Sequence, residues 1–555
     1  MATVKNKALF FTTSPRSPSK MIPEIKLLSE KFDRLKWNTK TQIEFMDLLA
    51  QSDFFEGGGS KKDKAFSARD RITRAPKSLG FINLKPRIEL TDAGREFIFG
   101  KRPQEIFLRQ LLKFQIPSPY HVPTKSVKFF VKPYLEIMRL IRDLQGLTFD
   151  ELKIFGMTLT DYRNYDYVLD KIRQFRATGG RYEEKSYNAL NNILEEIYSE
   201  DIVAGRTKTR ETTDASLKKF LRTKRHNVRD YADACFRYLR YTELFAISQR
   251  NRSIAVSPDK VKDLDFILDT VDRNPTFISD TNSYKNYLFN SETPRLYCDD
   301  RTNAIDSLMR ISDYTKNQLA AMSLTELKDL RNSIVSSRRD AIIRAEIEEI
   351  KSYSLYTEIV DTYNEIIADG YYDTPLMLEY NTWRAMTMLD GGEIKGNFKF
   401  DDAGQPLSTA AGNMADIECD YGDFILTVEV TMQRGSRQYE SEGEPVARHF
   451  GQIKKRTSKE TYCLFIAPTV NKACLAHFFA LNKMEISYYG GRTKIIPLDL
   501  EQFMTLVDNS YNYETRPTAL ELKLFLDNVI NQEETSANEL EWAEKIQNCV
   551  THWLT

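Results

Sequence analysis

Two acidic residues in the C-terminal part of the chain have a spacing that could hold a divalent cation. Asp416 precedes a short apolar segment, 417–420, and Glu429 lies near the end of a second one, 424–431, after the tight turn 421–423. Pairing of these segments as an antiparallel hairpin would bring both carboxylates together. Metal-assisted hydrolysis of a phosphodiester needs two or three such carboxylates, because the metal must activate water and neutralise developing charge.

The alternation of residue types along 424–431 supports a strand with Glu429 on one of its faces. Burying a lone carboxylate in so apolar a strand is costly unless a cation compensates it. Period-two alternation predicts one face with Ile425, Thr427, Glu429 and Thr431 and another with Leu426, Val428 and Val430.

The segments around this hairpin alternate between helical and strand patterns. They predict a compact α/β core with a mixed sheet. The predicted helices are 378–389, 444–455, 472–481 and 500–507, and the further strands are 462–466 and 494–497.

The N-terminal part contains a segment typical of a winged helix, a helix followed by a hairpin and another helix. Ser67 and Asp70 have the capping-box spacing and predict a helix start. Two short strands, 80–82 and 88–90, flank a basic turn, and a second helix begins at Thr91. This order of elements can set a basic helix into the major groove of DNA.

A second segment repeats the pattern. Asn227 and Asp230 predict the start of a helix that ends near Tyr241, followed by strands 244–247 and 253–256. For either segment alone, a helix-hairpin packing unit with a solvated basic face is an equal alternative. The presence of two copies favours DNA binding.

The distribution of charge and the spacing of the cysteines indicate which classes of protein fit this sequence. The chain of 555 residues has a net charge of +0, but Lys and Arg exceed Asp and Glu within 61–113 and 206–229. The six cysteines form no CxxC pair, and no apolar run is long enough to cross a bilayer. These features predict a cytoplasmic protein with reduced thiols and no zinc site. A glycine-rich segment, 57–60, lacks the Gly-Lys-Ser/Thr of a phosphate-binding loop and is interpreted as a loop that could touch DNA through Lys61 and Lys62.

The predicted domain organisation has three parts. Residues 1–260 form a DNA-recognition region with winged-helix modules at about 61–113 and 217–258. Residues 261–370 form a helical linker, with a capping box at Ser323 and Glu326, and residues 371–555 form a nuclease domain.

The hairpin acids resemble the PD-(D/E)xK nuclease core, with Ala415 in place of the proline and Thr431 in place of the lysine. Further blocks, in the same order over nearly the whole chain, resemble the type IIS restriction enzymes AlwI, PleI and MlyI and their nicking relatives. These blocks are 13–18 (TSPRSP), 66–71 (FSARDR), 410–413 (AAGN), 443–449 (GEPVARH) and 463–468 (CLFIAP).

The resemblance implies an active site formed by Glu379, Asp416, Glu429 and Glu442, with His449 nearby. The acids would bind Mg²⁺, and Glu442 could occupy the space of the absent lysine. His449 could be a general base or a phosphate contact. The alternatives are a surface helix carboxylate for Glu379, a charged loop residue for Glu442 and a packed helix-face histidine for His449.

The resemblance further implies a bacterial, cytoplasmic endonuclease that binds double-stranded DNA and cuts a few base pairs outside an asymmetric site. Cleavage of both strands would need a transient homodimer or a second catalytic subunit; otherwise the enzyme is a nickase. The alternative is a transcription regulator or scaffold that binds DNA without cutting it. The predicted DNA-binding residues are Arg16, Arg69, Arg71, Arg74, Lys77, Arg222, Lys224, Arg225 and Arg229.

Overall fold

A computed structural model describes most of the chain. The described residues are 2–52, 54–55, 63–178, 182–209, 213–389, 392–410 and 413–554. The glycine-rich segment 57–60, with Lys61 and Lys62, lies outside them. Within these ranges, no helix combines the length and apolarity that a membrane span requires.

The chain divides into two compact units. One comprises Met1–Ser52 and Gly57–Leu330, and the other comprises Asp53–Glu56 and Arg331–Thr555. Residues 261–330 therefore pack within the first unit and residues 331–370 within the second, whereas the sequence predicts a single linker over 261–370. Long-range ion pairs join residues 261–330 to the rest of the first unit: Arg109 binds Asp299 at 2.8 Å, and Arg273 binds the buried Glu136 at 2.6 Å.

The first unit is mainly helical. Its strands are short: Ala2–Val4 pairs with His121–Pro123, Ile82–Asn83 pairs with Glu89–Leu90, and Ser253–Val256 lies between Leu147–Thr148 and Phe245–Ser248. Its helices are Met21–Phe32, Thr39–Ala50, Lys64–Ala68, Ala75–Ser78, Asp92–Phe99, Pro103–Lys113, Pro133–Asp143, Phe149–Ile154, Tyr165–Ala177, Tyr182–Ile197, Ser199–Val203, Leu217–Tyr241, Val261–Thr270, Thr281–Phe289, Arg301–Ile311 and Lys316–Ala320.

The first helix-hairpin-helix segment is present, but its start differs from the prediction. Asp63, not Ser67, caps the helix Lys64–Ala68 by accepting a hydrogen bond from the Phe66 amide at 2.8 Å. Ser67 lies inside the helix because the earlier cap already satisfies an open amide. The second helix starts as predicted, since the Thr91 side chain accepts from Gly94 at 2.9 Å.

The second segment also contains its helix and hairpin, and again the predicted cap is wrong. The helix Leu217–Tyr241 is continuous through Asn227 and is capped by Ser216. Phe220 and Leu221 are buried and extend the apolar face by two turns before Val228. The helix therefore gains packing that the sequence interpretation did not assign to it.

A mixed five-stranded sheet organises the second unit. Its spatial order is Ile495–Asp499, Glu460–Ala467, Phe424–Val430, Ile417–Asp420 and Glu393–Gly396. The first three strands are parallel, and the last two add antiparallel neighbours. This arrangement confirms the predicted mixed sheet and hairpin.

Helices cover both faces of this sheet. A long helix, Leu324–Lys351, begins in the first unit and continues into the second, and Ser323 and Glu326 form the predicted capping box at its start. A smaller strand pair joins Lys399–Phe400 to Pro406–Ser408. The further helices are Tyr356–Ile367, Thr374–Met388, Ser436–Arg456, Lys472–Lys483, Leu500–Asn512, Ala519–Glu534 and Glu539–Thr551.

Two separate hydrophobic cores explain why the central strand is buried on both sides. Leu426 and Val428 pack with the helix Thr374–Met388 and the C-terminal helices. The opposite face is covered by Val446, Ala447 and Phe450 of the helix Ser436–Arg456. Strand alternation thus turns Glu429 toward the second helix, where the polar residues of the candidate site collect.

Candidate active site

The strand register places Asp416 opposite Glu429. Ile417 aligns with Val428 in the antiparallel hairpin, and extending this register by one residue pairs the two acids. Directly opposed residues of an antiparallel pair share one face of the sheet. An Oδ2 atom of Asp416 accepts a hydrogen bond from the Val430 amide at 2.8 Å, which holds its carboxylate at the end of the central strand.

Glu429 is buried, with 6% of its surface exposed. Burial raises the pKa of Glu429 well above its usual value, and the nearby negative charge of Glu442 raises this pKa further. A carboxylate in this position is unfavourable in its ionised form unless a positive charge approaches it.

Glu379 joins this pair from a helix that is buried on nearly all sides. The amide of Ala410 donates a hydrogen bond to Oε2 of Glu379 at 2.9 Å. Burial raises the pKa of Glu379 well above its usual value, followed by repulsion from Asp416. The alternative of a surface carboxylate is therefore wrong for Glu379, which is 7% exposed.

Glu442 is held at the site by the residue that stands where a lysine was expected. The hydroxyl of Thr431 donates to Oε1 of Glu442 at 2.9 Å, and Ser441 donates to the same oxygen at 3.1 Å. Burial raises the pKa of Glu442. The helix Ser436–Arg456 includes Glu442, so the alternative of a loop residue is wrong. The prediction began this helix at 444 because its earlier turns are mostly polar and exposed.

His449 lies on the same helix, directly against Glu429. Its Nδ1 atom is 2.9 Å from Oε1 of Glu429. The charge of His449 also lowers the pKa of Glu442. The imidazole therefore lies close to both acids, and a proton on Nδ1 would be donated to Glu429.

Sequence reasoning missed Glu418 and the residue that orients it. Asn397 donates through Nδ2 to Glu418 at 2.9 Å and to the Ala415 carbonyl at 2.8 Å. Glu418 is half-buried, and its charge raises the pKa of Glu429. The signal was present in the sequence, because Asp416 and Glu418 are two residues apart and share a strand face.

A second missed residue, Gln438, anchors the start of the helix that carries Glu442 and His449. Its side-chain amide donates to the carbonyls of Gln433 and Thr469, both at 2.9 Å, and accepts from the Asn471 amide at 2.6 Å. The side chain is fully buried. No sequence motif marks this residue, because its three partners lie on two different loops.

The acids at this site fit a hard divalent cation by their chemistry. Mg²⁺ prefers carboxylate oxygens, and the buried carboxylates here repel one another, as the raised pKa values of Glu379 and Glu429 indicate. Within the described ranges, their ligand atoms do not include three that all lie within 4.8 Å of one another.

Another trio of potential ligands already has balancing charges. Atoms of Glu105, Cys298 and Asp299 lie within 4.8 Å of one another. Lys328 binds Glu105 at 3.0 Å and Asp299 at 2.7 Å, and Arg109 binds Asp299 at 2.8 Å. This trio is therefore a structural ion-pair cluster of the first unit.

The predicted DNA-binding residues divide by their exposure into an exposed group and a half-buried group. The exposed group is Arg16, Arg69, Arg74, Arg222 and Arg229. Arg222 and Arg229 are exposed along the helix Leu217–Tyr241. The other members each have one polar neighbour: Arg69 donates to Gln42 at 2.8 Å, Arg74 binds Asp70 at 2.7 Å, and Arg16 binds Asp230 at 3.1 Å.

The second group is half-buried in the first unit. Arg71 forms an ion pair with the buried Glu24. The three others lie over aromatic rings: Lys77 is 4.6 Å from the Tyr120 ring centre, Lys224 is 4.5 Å from that of Tyr198, and Arg225 is 5.3 Å from that of Tyr187.

Comparisons with known proteins give the following matches. A family model described as AlwI restriction endonuclease matches residues 77–506. No protein with a curated description matches the sequence. Among solved structures, the small subunit of the heterodimeric restriction endonuclease R.BspD6I is 25% identical, with a TM-score of 0.30, over 35% of this chain and 97% of that subunit.

Two structures of the restriction endonuclease FokI also align with the chain. The structure bound to DNA is 11% identical, with a TM-score of 0.24, over 91% of this chain and 96% of FokI. The other is 12% identical, with a TM-score of 0.24, over 94% of this chain and 99% of FokI. The family assignment rests on the family model, which spans more than half of the sequence. The chain belongs to the AlwI restriction endonuclease family, a family of type IIS deoxyribonucleases that hydrolyse phosphodiester bonds and are typically metal-dependent.

Proposed function

We propose that this chain is a Mg²⁺-dependent endonuclease that cuts double-stranded DNA a few base pairs outside an asymmetric recognition site. The observation that supports the chemistry best is the register of the hairpin, which sets Asp416 opposite Glu429 on the buried face of a PD-(D/E)xK-like sheet. Glu379 and Glu442 approach this pair from two different helices.

Each residue has a distinct part in the proposed reaction. Asp416 and Glu429 are the proposed Mg²⁺ ligands, with Glu379 and Glu442 completing the set. When bound, Mg²⁺ would lower the pKa of the attacking water and neutralise negative charge on the phosphate. Thr431 fixes the carboxylate of Glu442, and His449 fixes that of Glu429.

The decisive experiment is plasmid cleavage with and without Mg²⁺, using a matched pair of variants. Asp416→Asn should abolish cleavage but leave DNA binding in Ca²⁺ unchanged, because the amide keeps the shape and removes the ligand charge. Asp423→Asn is the control, since Asp423 lies exposed in the turn of the same hairpin. A wild-type chain that binds DNA yet never nicks it in Mg²⁺ would instead identify a DNA-binding regulator or scaffold.

We further propose that residues 1–260 read DNA through two winged-helix modules, with 261–370 linking them to the nuclease domain, 371–555. Two features of the first unit support this role. Arg222 and Arg229 form an exposed stripe with Lys218 along the helix Leu217–Tyr241. These residues are seven or four apart and therefore share one helix face.

The second feature is a lysine cluster beside the first hairpin, formed by Lys77, Lys85 and Lys285. The Nζ atom of Lys285 lies 3.4 Å from the Lys85 carbonyl. Burial lowers the pKa of Lys77, and the positive charges of Lys85 and Lys285 lower it further. Such a concentration of positive charge fits a DNA phosphate.

The cluster can be tested by the salt dependence of binding. Each phosphate contact that is lost should reduce the slope of log binding constant against log salt by about one. Lys285→Ala should therefore give a shallower slope, whereas Lys483→Ala, which replaces an exposed lysine of the other unit, serves as the control. An unchanged slope in Lys285→Ala would remove the cluster from the DNA interface.

The number of strands cut depends on how many active sites assemble. The described residues of one chain provide one acid cluster of this kind, so a single chain should cut one strand at a time. A linear product that rises with the square of enzyme concentration would indicate a transient homodimer. A nicked product at every enzyme concentration would indicate a nickase or the need for a second catalytic subunit.

A further inference from the structure

The candidate site has several acids, and a helix that packs on them also carries an arginine. Thr431 directly follows the strand Phe424–Val430, at the position where a lysine was expected, and its hydroxyl donates to Glu442. Among the charges that shift the pKa of Glu429, those of Glu442 and Glu418 raise it, whereas that of Arg448 lowers it. Arg448 is thus a source of positive charge beside the acid cluster.

Two contacts fix the position of Arg448. Its Nε atom lies 3.1 and 3.2 Å from the two carboxylate oxygens of Glu444, one helical turn earlier. Its Nη1 group donates to Oδ1 of Asn413, three residues before Asp416. The side chain therefore bridges the helix Ser436–Arg456 and the loop that leads to Asp416.

The guanidinium group retains capacity for another ligand. An arginine has five N–H groups, and Glu444 and Asn413 together engage Nε and Nη1. The side chain keeps 22% of its surface exposed, next to a buried acid. Its partner Glu444 is half-exposed, so solvent screens this ion pair and the guanidinium is not fully neutralised.

Hydrolysis of a phosphodiester places additional negative charge on the non-bridging oxygens in the transition state. We infer that Arg448 is a catalytic residue whose guanidinium contacts a non-bridging oxygen of the scissile phosphate, supplying from a helix the positive charge that Thr431 cannot supply. This inference rests on the proposed nuclease function. Arg448 takes no part in proton transfer in this proposal.

The reaction balances with Arg448 unchanged. The oxygen of water forms a bond to phosphorus, and the bond from phosphorus to the leaving sugar oxygen breaks. The water releases a proton to solvent, and the leaving oxygen takes up a proton. The contribution of Arg448 is electrostatic, because its N–H groups would donate to a phosphate oxygen whose negative charge increases in the transition state.

The test compares Arg448→Ala with Glu444→Gln in single-turnover cleavage at saturating Mg²⁺. Arg448→Ala should lower the rate by about 100-fold or more, as expected for loss of a preorganised donor. DNA binding in Ca²⁺ and the melting temperature should stay close to the wild type. Glu444→Gln breaks the same ion pair but keeps the guanidinium, so it should retain most of the rate.

Chemical rescue separates a catalytic role from a structural one. Added guanidinium ion at low concentration should restore part of the rate to Arg448→Ala but not to Asp416→Asn. Equal losses in Arg448→Ala and Glu444→Gln, with no rescue, would show that the pair only supports the fold and would overturn the inference. Full activity in Arg448→Ala would also overturn it. Absence of cleavage by the wild type would count against the proposed function itself.

Discussion

The Nδ1 atom of His449 lies 2.9 Å from Oε1 of Glu429, so the histidine contacts one of the proposed metal ligands directly. Hydrogen bonds to a metal-binding carboxylate orient it and tune its affinity for the metal. The geometry favours a positioning role for His449 over that of a general base.

A substitution that removes this contact should weaken metal binding more than chemistry. In His449→Ala, we expect the Mg²⁺ concentration for half-maximal cleavage to rise by about 10- to 100-fold, the usual effect of losing such a partner. Cleavage rates across a Mg²⁺ titration measure this. A rate that is abolished at every Mg²⁺ concentration would point to the general-base role instead.

The contact between Thr431 and Glu442 predicts a milder defect. Thr431→Val keeps the side-chain shape but removes the hydroxyl that donates to Glu442. We expect cleavage to slow by about 10-fold, corresponding to a hydrogen bond to a charged group. Thr431→Ser retains the donor and should stay close to the wild type; equal losses in both variants would refute this role of the hydroxyl.

Charge repulsion among the buried acids predicts that divalent cations stabilise the protein. Glu379 and Glu429 are each unfavourable as ions in the folded chain without a cation. Ca²⁺ at about 100 times its dissociation constant should stabilise the wild type by about 2.7 kcal/mol.

The matched variant for this prediction is Glu379→Gln, which removes one of the repelling charges. We expect it to melt at a higher temperature than the wild type in a chelator and to gain less from Ca²⁺. Thermal unfolding of both proteins in EDTA and in Ca²⁺ checks this. A Ca²⁺ shift of the same size in both would mean that Glu379 is not part of the cation site.

His121 predicts a loss of stability in mild acid. Burial lowers the pKa of His121 to about 4, helped by the positive charge of Lys77, whereas an unfolded histidine titrates near 6.5. The unfolded chain therefore binds one proton more between these values, so stability falls as the pH decreases from about 6.5 to 4.

Replacement of the His121 imidazole should make the stability of the protein depend less on pH below neutrality. His121→Gln cannot take up that proton. As the pH decreases through this range, its free energy of unfolding should therefore fall less steeply than that of the wild type, by about 1.4 kcal/mol per pH unit. Melting temperatures of both proteins from pH 7 to pH 4 measure the difference. Parallel profiles for the two proteins would show that another group causes the acid sensitivity.

Arg71 and Arg222 should separate folding from DNA binding. Arg71→Ala removes the guanidinium that pairs with Glu24, which is 3% exposed, and should cost about 1.5–3 kcal/mol of stability. Arg222→Ala removes an exposed side chain and should change stability by less than about 0.5 kcal/mol while weakening DNA binding. Chemical denaturation and binding titrations check both; a stable Arg71→Ala protein would contradict the first expectation.

The sequence alone determined the local pattern of the nuclease unit. The hairpin, the buried strand around Leu464 and the position of Asp416 and Glu429 near strand ends follow from the alternation of apolar and polar residues, which acts over a few neighbours. Helix starts were less predictable. Ser67 and Asn227 have capping side chains, but Asp63 and Ser216 lie earlier and provide the actual caps.

Tertiary structure decided which distant side chains meet. The burial of Glu379, the hydrogen bond from Thr431 to Glu442 and the position of Arg448 beside Glu429 depend on how helices pack on the two faces of the sheet. Periodicity reports which side of an element is apolar but not which partner covers it. Contacts between segments remote in sequence are set by packing of the whole unit, and the chemistry of the site therefore appears only in three dimensions.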